Sequence, residues 1–208
     1  MFYDFFKYNF TAQSNKLKQK SFSFLIRRIF IAIPSPPEIS TYLEQLISDN
    51  PHIPGIKWMR FFNLHLTIYF IGNINAEDYE KILDTSRLII NSHKKIILDF
   101  EKISFAPSEN SKMIWVRFYK NLSFTSLVNS LHEGLKSVVP ENKFYYKDPI
   151  PHITLARFKP GKILNEINIE RTLDLKQIII TTCDLMESIS SPKGVIYKKA
   201  ASGIYLAK

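Results

Sequence analysis

One short pattern occurs twice in this chain and constrains how it can fold. Residues 65–70 read His-Leu-Thr-Ile-Tyr-Phe, and residues 152–157 read His-Ile-Thr-Leu-Ala-Arg. Both segments are rich in residues that suit a pleated, half-buried surface, so each predicts a β-strand. Because side chains alternate between the two faces of a strand, each segment places a histidine beside a threonine on one face. We therefore expect a fold in which two such strands line one cleft, facing each other across it.

Two imidazoles and two hydroxyls suit the chemistry of a phosphate ester. A neutral histidine can accept a proton, a protonated histidine can donate one, and threonine hydroxyls can bind the non-bridging oxygens. The repeat thus predicts His65 and His152 as catalytic residues, and Thr67 and Thr154 as substrate-binding residues. Which histidine is the base and which is the acid is left open by two nearly identical motifs.

Two aromatic residues share the alternation of these motifs. Tyr69 has the parity of His65, and Phe158 has the parity of His152. On the cleft side either ring could stack on a nucleobase, and both are candidate substrate-binding residues. The alternative interpretation, that both are ordinary core aromatics, stays open.

Other reactive groups are weaker candidates. A zinc site of His65 and His152 would lack a nearby third ligand, since no His, Cys, Asp or Glu lies within three residues of either. Cys183, the only cysteine, lies within an apolar strand, where it behaves as a small hydrophobic residue. One cysteine excludes an internal disulfide and favours a reducing compartment, so we predict a cytoplasmic protein without metal or cofactor.

The composition predicts a globular chain that attracts polyanions. Its 208 residues are 45% hydrophobic and carry a formal net charge of +9. RNA and DNA are the obvious polyanions, although dispersed lysines on solvated faces give the same count. The apolar stretch 22–33 is interrupted by Arg27 and Arg28 and is too short to span a bilayer. We therefore predict no membrane association, no obligatory protein partner and a monomer.

Short strands alternate with amphipathic helices along the chain, which predicts an α+β fold. Residues 1–26 are predicted to be a loosely attached extension, and residues 27–208 a single two-lobed domain. The repeated motif predicts halves related by a pseudo-twofold axis, each with helices and an antiparallel sheet, around a central cleft lined by the two His-x-Thr strands. The predicted strands are 28–33, 56–60, 65–71, 96–105, 113–118, 152–157, 178–186, 195–197 and 204–206. The predicted helices are 38–48, 77–90 and 123–137.

The motifs and their surroundings resemble the two-histidine (2H) phosphoesterases, and within them the bacterial and archaeal RNA 2′,3′-cyclic phosphodiesterases, historically called 2′-5′ RNA ligases. The resemblance covers roughly residues 27–207. It rests on Arg-Ile-Phe-Ile-Ala-Ile-Pro-Ser-Pro-Pro at 28–37, Trp58 with Asn-Leu-His-Leu-Thr at 63–67, Pro-His-Ile-Thr-Leu-Ala-Arg at 151–157, and Leu-Met-Glu-Ser at 185–188 with Gly194 and Tyr197.

The resemblance implies metal-independent hydrolysis of a 2′,3′-cyclic phosphate at an RNA end to a 2′-phosphate, with slow 2′-5′ ligation in reverse. It also implies that Arg157 binds phosphate, for which a bidentate guanidinium is well suited. Strict alternation from His152 gives Arg157 the wrong parity for the cleft, and a β-bulge would remove this conflict.

Two alternatives stay open beside the RNA-end phosphodiesterase. The same chemistry could act on a small cyclic nucleotide, such as an ADP-ribose cyclic phosphate, or on 2′-5′ oligonucleotides. A narrow, neutral cleft would favour the small substrate, and a basic, open cleft would favour RNA. A non-catalytic RNA-binding module would fit the charge but would leave the two His-x-Thr strands without a purpose.

Overall fold

The computed structural model describes residues 26–106, 111–139, 145–159, 166–192 and 194–207. Its strands are β1 (Ile26–Pro34), β2 (Lys57–Trp58), β3 (His65–Asn75), β4 (Ile96–Ala106), β5 (Met113–Phe118), β6 (His152–Arg157), β7 (Gln177–Ile180), β8 (Thr182–Ser191) and β9 (Gly194–Tyr205). Its α-helices are α1 (Pro37–Asp49), α2 (Tyr79–Ser92) and α3 (Leu122–Leu135), and single 3₁₀ turns occupy Phe61–Asn63 and Ala76–Asp78.

The nine strands of the described ranges form one antiparallel sheet, which confirms the predicted α+β class. Their order is β7-β4-β5-β6-β3-β1-β8-β9, and the short β2 pairs with β6 outside this path. The order divides into two halves of the same plan, β7-β4-β5-β6 and β9-β8-β1-β3. In the first half α3 connects β5 to β6, and in the second α1 follows β1 on the way to β3. The pseudo-twofold axis lies where β3 meets β6, at the direct pair of Leu66 with Ile153.

The helices share one hydrophobic core with one face of the sheet. The core joins Ile29, Ile31 and Ile33 of β1 to the buried residues of α1, α2 and α3. Pro37 occupies the first turn of α1, where its missing N–H costs no intrahelical bond. This layer holds the sheet from behind, so the functional groups of the motifs lie on the opposite face, which we call the site face.

Four predicted strands need correction. The predicted strand 178–186 is two strands, because the chain passes at Thr181 from β7, paired with β4, to β8, paired with β1. The predicted strands 195–197 and 204–206 are both parts of β9. The predicted strand 56–60 is only two residues long, since the 3₁₀ turn begins at Phe61.

The predicted N-terminal extension falls outside the described residues, apart from Ile26, which begins β1. No α-helix in the described ranges is long and apolar enough to cross a membrane.

Candidate active site

The two His-x-Thr segments lie in neighbouring strands, β3 and β6, which meet at the centre of the sheet. The antiparallel pair of Leu66 with Ile153 fixes their register. One step either side of that pair, the register sets His65 opposite Thr154 and Thr67 opposite His152. Opposite side chains in an antiparallel pair lie about 5 Å apart at Cβ. The histidines and threonines therefore alternate around the pseudo-twofold axis as one four-residue cluster on the site face.

Both strands contain a β-bulge three residues after the histidine. In β3, Thr67 pairs with Ala32 and Tyr69 with Ile31, which leaves Ile68 unpaired. A bulge of this kind inserts an extra residue and reverses the alternation of side chains beyond it. Residues after the bulge therefore point to the face opposite to the one that strict alternation predicts.

The bulge in β6 has the same position relative to its histidine. Thr154 pairs with Trp115 and Ala156 with Ile114, so Leu155 is the extra residue. It turns Arg157 back to the side of His152, as the resemblance implied. The guanidinium is exposed, its Nη1 donates to Met113 Sδ at 3.3 Å, and it lies near enough to lower the pKa of both histidines.

The bulges also correct the positions expected for the two aromatic candidates. Tyr69 is 3% exposed and lies on the core side, where its hydroxyl is 3.1 Å from Nδ1 of His132 in α3. Phe158 is 7% exposed and packs edge-on against Phe105. Neither ring is placed beside the histidine of its own strand, and their interpretation as core aromatics fits the structure better.

Each catalytic candidate is fixed by the same local hydrogen bond. Nδ1 of His65 donates to the carbonyl oxygen of Asn63 at 2.6 Å, and Nδ1 of His152 donates to that of Ile150 at 2.7 Å. A carbonyl oxygen can only accept, so Nδ1 carries the hydrogen in both rings. Nε2 is then the nitrogen that each ring offers for proton transfer.

The rings that surround the two histidines differ. His65 contacts Phe30 and Tyr197, at centroid distances of 5.0 and 4.8 Å. His152 stacks on Trp115 at 3.8 Å with an interplanar angle of 21°. The pairing of β5 with β6 also sets Arg117 opposite His152. His152 thus has a cation as its cross-strand neighbour, whereas Pro34 takes the equivalent place beside His65.

These surroundings keep both imidazoles neutral at physiological pH. Burial lowers the pKa of His152 to about 4, with further lowering by His65, Arg157 and Arg117 and an opposing contribution from the bond to Ile150. Burial also lowers the pKa of His65, and Arg157 adds to this effect. The cluster therefore differs from a symmetric pair in the charge around each histidine.

Sequence reasoning missed three residues that shape the site. Trp115 and Arg117 alternate along β5, but nothing in the sequence indicated that this strand would pair with β6. Asn63 makes side-chain hydrogen bonds besides the one that its carbonyl oxygen accepts from His65. Its amide side chain donates to Val195 O at 2.8 Å and accepts from Tyr197 N at 3.2 Å. Its place two residues before the histidine was visible in the motif, whereas its bonds to β9 were not.

The remaining candidates carry no comparable geometry. Within the described ranges, no three His, Cys, Asp or Glu residues are grouped as a metal would require. Burial raises the pKa of Cys183 to about 12, so its thiol stays protonated and is a poor nucleophile.

Comparison with known proteins agrees with the fold and with the predicted resemblance. Residues 33–115 match the family described as LigT like Phosphoesterase. An RNA 2′,3′-cyclic phosphodiesterase of Archaeoglobus fulgidus is 25% identical over 174 residues, which cover 82% of this chain and 96% of the relative. One of Methanocaldococcus jannaschii is 26% identical over 180 residues, with the same two shares of coverage.

Solved structures share the architecture. A Thermus thermophilus protein superposes with a TM-score of 0.72 at 22% identity, covering 85% of this chain and 96% of its own. Apo LigT of E. coli gives a TM-score of 0.69 at 19% identity, covering 88% and 99%. The matching family and the named relatives are all phosphoesterases. The chain is related to the LigT-like phosphoesterases, and the predicted resemblance, with an enzyme acting on phosphoesters, is confirmed.

Proposed function

We propose that this protein is a metal-independent RNA 2′,3′-cyclic phosphodiesterase that produces a 2′-phosphomonoester, and that the same site can join RNA ends through a 2′-5′ linkage in reverse. The observation that carries the proposal is the four-residue cluster of two histidines and two threonines, in which both Nδ1 atoms are committed to carbonyl groups. The names of the archaeal relatives support the choice of substrate. A cytoplasmic location and a monomeric state belong to the same proposal.

His152 is the general base in this mechanism. Burial of its ring, which stacks on Trp115, favours the neutral form most, and the charges of Arg157 and Arg117 add to this effect. Its low pKa leaves Nε2 free to accept a proton. Nε2 removes a proton from a water molecule as its oxygen attacks phosphorus. The new P–O bond forms in line with the bond to O3′, which breaks. The product keeps phosphate on the 2′ oxygen.

His65 is the general acid. Its ring has no cation directly opposite in β1, and bound phosphate stabilises its protonated form. Nε2–H of His65 gives its proton to O3′ as that oxygen leaves, so the proton taken from water at His152 balances the one delivered here. The two histidines then exchange protons with solvent.

Thr67, Thr154 and Arg157 bind the non-bridging oxygens. The hydroxyls flank the axis between the two imidazoles, and both residues are part-exposed on the site face. Arg157 reaches this face through the bulge at Leu155 and supplies a permanent positive charge. Donors held in place before reaction stabilise the charge that grows on these oxygens.

The direct test uses an RNA oligomer that ends in a 2′,3′-cyclic phosphate, with EDTA in the reaction. We expect turnover to a 2′-phosphate, identified by resistance of the product to an enzyme that removes only 3′-phosphates. Turnover that stops with EDTA and returns with a divalent cation would contradict a metal-independent mechanism, and a 3′-phosphate product would contradict the assigned leaving group.

The pH dependence follows from the two lowered pKa values. Activity needs His152 neutral and His65 protonated. As the pH is raised, kcat/KM should therefore increase through about 4, where His152 loses its proton, and then decrease as His65 loses its own. That decrease should come before pH 6.5, the ordinary histidine value, because the pKa of His65 is lowered. The maximum is then acidic, below the near-neutral profile expected of two unperturbed imidazoles. Steady-state rates with the cyclic phosphate oligomer, from pH 3.5 to 8, measure this. A maximum above pH 7 would contradict the assignment.

The acidic limb needs a folding control. Histidines that are buried and neutral must take up protons on unfolding, so stability falls as pH drops below 6.5. Circular dichroism at each pH separates loss of fold from titration of the site.

A further inference from the structure

A surface next to His65 combines exposed aromatic rings with cations. It consists of Lys57, Arg60, Phe61 and Phe62, and we call it the aromatic rim. Phe61 is 49% exposed and Phe62 is 65% exposed, although both belong to the 3₁₀ turn that leads into β3. The Arg60 guanidinium lies 5.8 Å from the centroid of the Phe62 ring. These two adjacent large apolar side chains are largely exposed and do not belong to the hydrophobic core, so they call for another explanation.

The rim is held rigidly against the catalytic cluster. Asn63, the last residue of the turn, is buried and bonds to β9 through both ends of its amide. Its carbonyl oxygen orients His65. Consecutive Cα atoms are about 3.8 Å apart, so the Cα of Phe61 lies within about 8 Å of that of Asn63. The two exposed rings are therefore within reach of a nucleotide that neighbours one bound at His65.

The charges of the rim point to an anion. β2 pairs with β6 so that Lys57 lies directly opposite Arg157, on the same face as the cluster. Like charges in directly opposite positions destabilise a sheet. The ion pairs between described residues include neither Lys57 nor Arg157. An anionic chain crossing this edge would relieve the repulsion, and the net charge of +9 attracts one.

We propose that the aromatic rim binds the unpaired nucleotides that precede the terminal cyclic phosphate of an RNA strand. Phe61 and Phe62 stack on bases, and Lys57 and Arg60 contact the backbone phosphates. Stacking on aromatic side chains with a cationic track is the usual way in which proteins bind single strands without reading sequence. The inference rests on the proposed function and deepens it, because the rim makes single-stranded RNA ends better substrates than mononucleotides.

The experiment compares two substrates in two double variants. The substrates are a single-stranded RNA tetramer ending in a 2′,3′-cyclic phosphate and the corresponding mononucleotide. The test variant is F61A/F62A, and the matched control, L88A/L122A, removes two exposed apolar side chains from α2 and α3. We expect F61A/F62A to lose about tenfold or more in kcat/KM for the tetramer, entirely through KM. Its kinetics with the mononucleotide, and both reactions of the control, should stay within about twofold of the native protein.

A binding measurement keeps this inference separate from the proposed activity. The dissociation constant for an unmodified single-stranded RNA tetramer is measured by fluorescence anisotropy, and Lys57→Gln should reduce the salt dependence of that binding by about one contact. Equal losses of kcat/KM on both substrates, or unchanged tetramer binding by F61A/F62A, would contradict the proposed role of the aromatic rim. If the native protein binds the tetramer through the rim but hydrolyses neither substrate, the proposed phosphodiesterase activity is contradicted and the rim is not.

Discussion

His152→Ala and His65→Ala should each lower kcat for the cyclic phosphate oligomer by about 10³-fold, within the 10²–10⁴-fold range of general acid–base catalysis. The expectation follows from the cluster, where each Nε2 is the one ring nitrogen that is not committed to a carbonyl. Single-turnover rates with saturating substrate measure the effect on chemistry alone. The double variant should be little worse than either single one, because the two histidines act as a unit.

The matched control for these variants is His93→Ala. His93 is a part-exposed histidine at the C-cap of α2, where its backbone N–H donates to Ile90 and its carbonyl oxygen accepts from Ala207. Its removal should leave kcat within about twofold. If either active-site variant keeps a tenth of the native rate, or if His93→Ala falls with them, the assignment of the two histidines fails.

The variants also separate the two roles. Without His152, the limb of the pH profile that rises through about 4 should disappear, since no group of that pKa remains to be deprotonated. Without His65, the falling limb should disappear instead. The opposite pattern would exchange base and acid while leaving the two-histidine mechanism intact.

The pseudo-twofold arrangement shows how two copies of one motif could take the different tasks of the proposed mechanism. The strands themselves are equivalent, since Leu66 pairs with Ile153 and both bulges fall three residues after the histidine. The difference comes from the strands on either side, where β5 gives Arg117 to His152 and β1 gives Pro34 to His65. The symmetry places the two histidines equivalently, and in the proposed mechanism the difference between their cross-strand neighbours separates the acid from the base.

Much of this site could be predicted because its signal is local. A histidine and a threonine two positions apart on an apolar strand define one face without knowledge of the partner strand. The two positions before each bulge, His65 with Thr67 and His152 with Thr154, are therefore the part of the site that sequence periodicity reaches.

The bulges mark where that periodicity stops being informative. A bulge depends on the pairing of a strand with its neighbour, so Ile68 and Leu155 look like any other strand residues in the sequence. Alternation consequently assigned Tyr69 and Phe158 to the site, although both are buried in the core. Only the resemblance indicated Arg157.

Long-range pairing limited the prediction of the fold in the same way. The apolar run 178–186 has no glycine or proline at its break, yet β7 and β8 join opposite ends of the sheet. The break between β7 and β8 depends on the strands with which each segment pairs, β4 and β1. No local sequence pattern contains that information. Helices α1 and α3 were better predicted, since their stripe of apolar residues repeats every three or four positions.

Phe30→Ala is expected to lower the free energy of unfolding by about 3–5 kcal/mol. Phe30 is fully buried on the site face, where its ring contacts His65, Phe70 and Tyr197 at centroid distances between 5.0 and 5.2 Å. Its removal leaves a cavity beside the ring of His65. Urea denaturation followed by circular dichroism gives the change in stability, and Phe30→Leu should cost less because it fills part of the space.

Activity distinguishes support of His65 from general stability. Phe124 is a phenylalanine of equal burial in α3, and its ring belongs to the core behind the sheet. Phe124→Ala should destabilise the protein by a similar amount. At a temperature where both variants remain folded, only Phe30→Ala should lower kcat, because only there does the ring of the acid lose its support. Equal kcat values in the two variants would show that the bond from His65 to Asn63 fixes the imidazole without help from the ring beneath it.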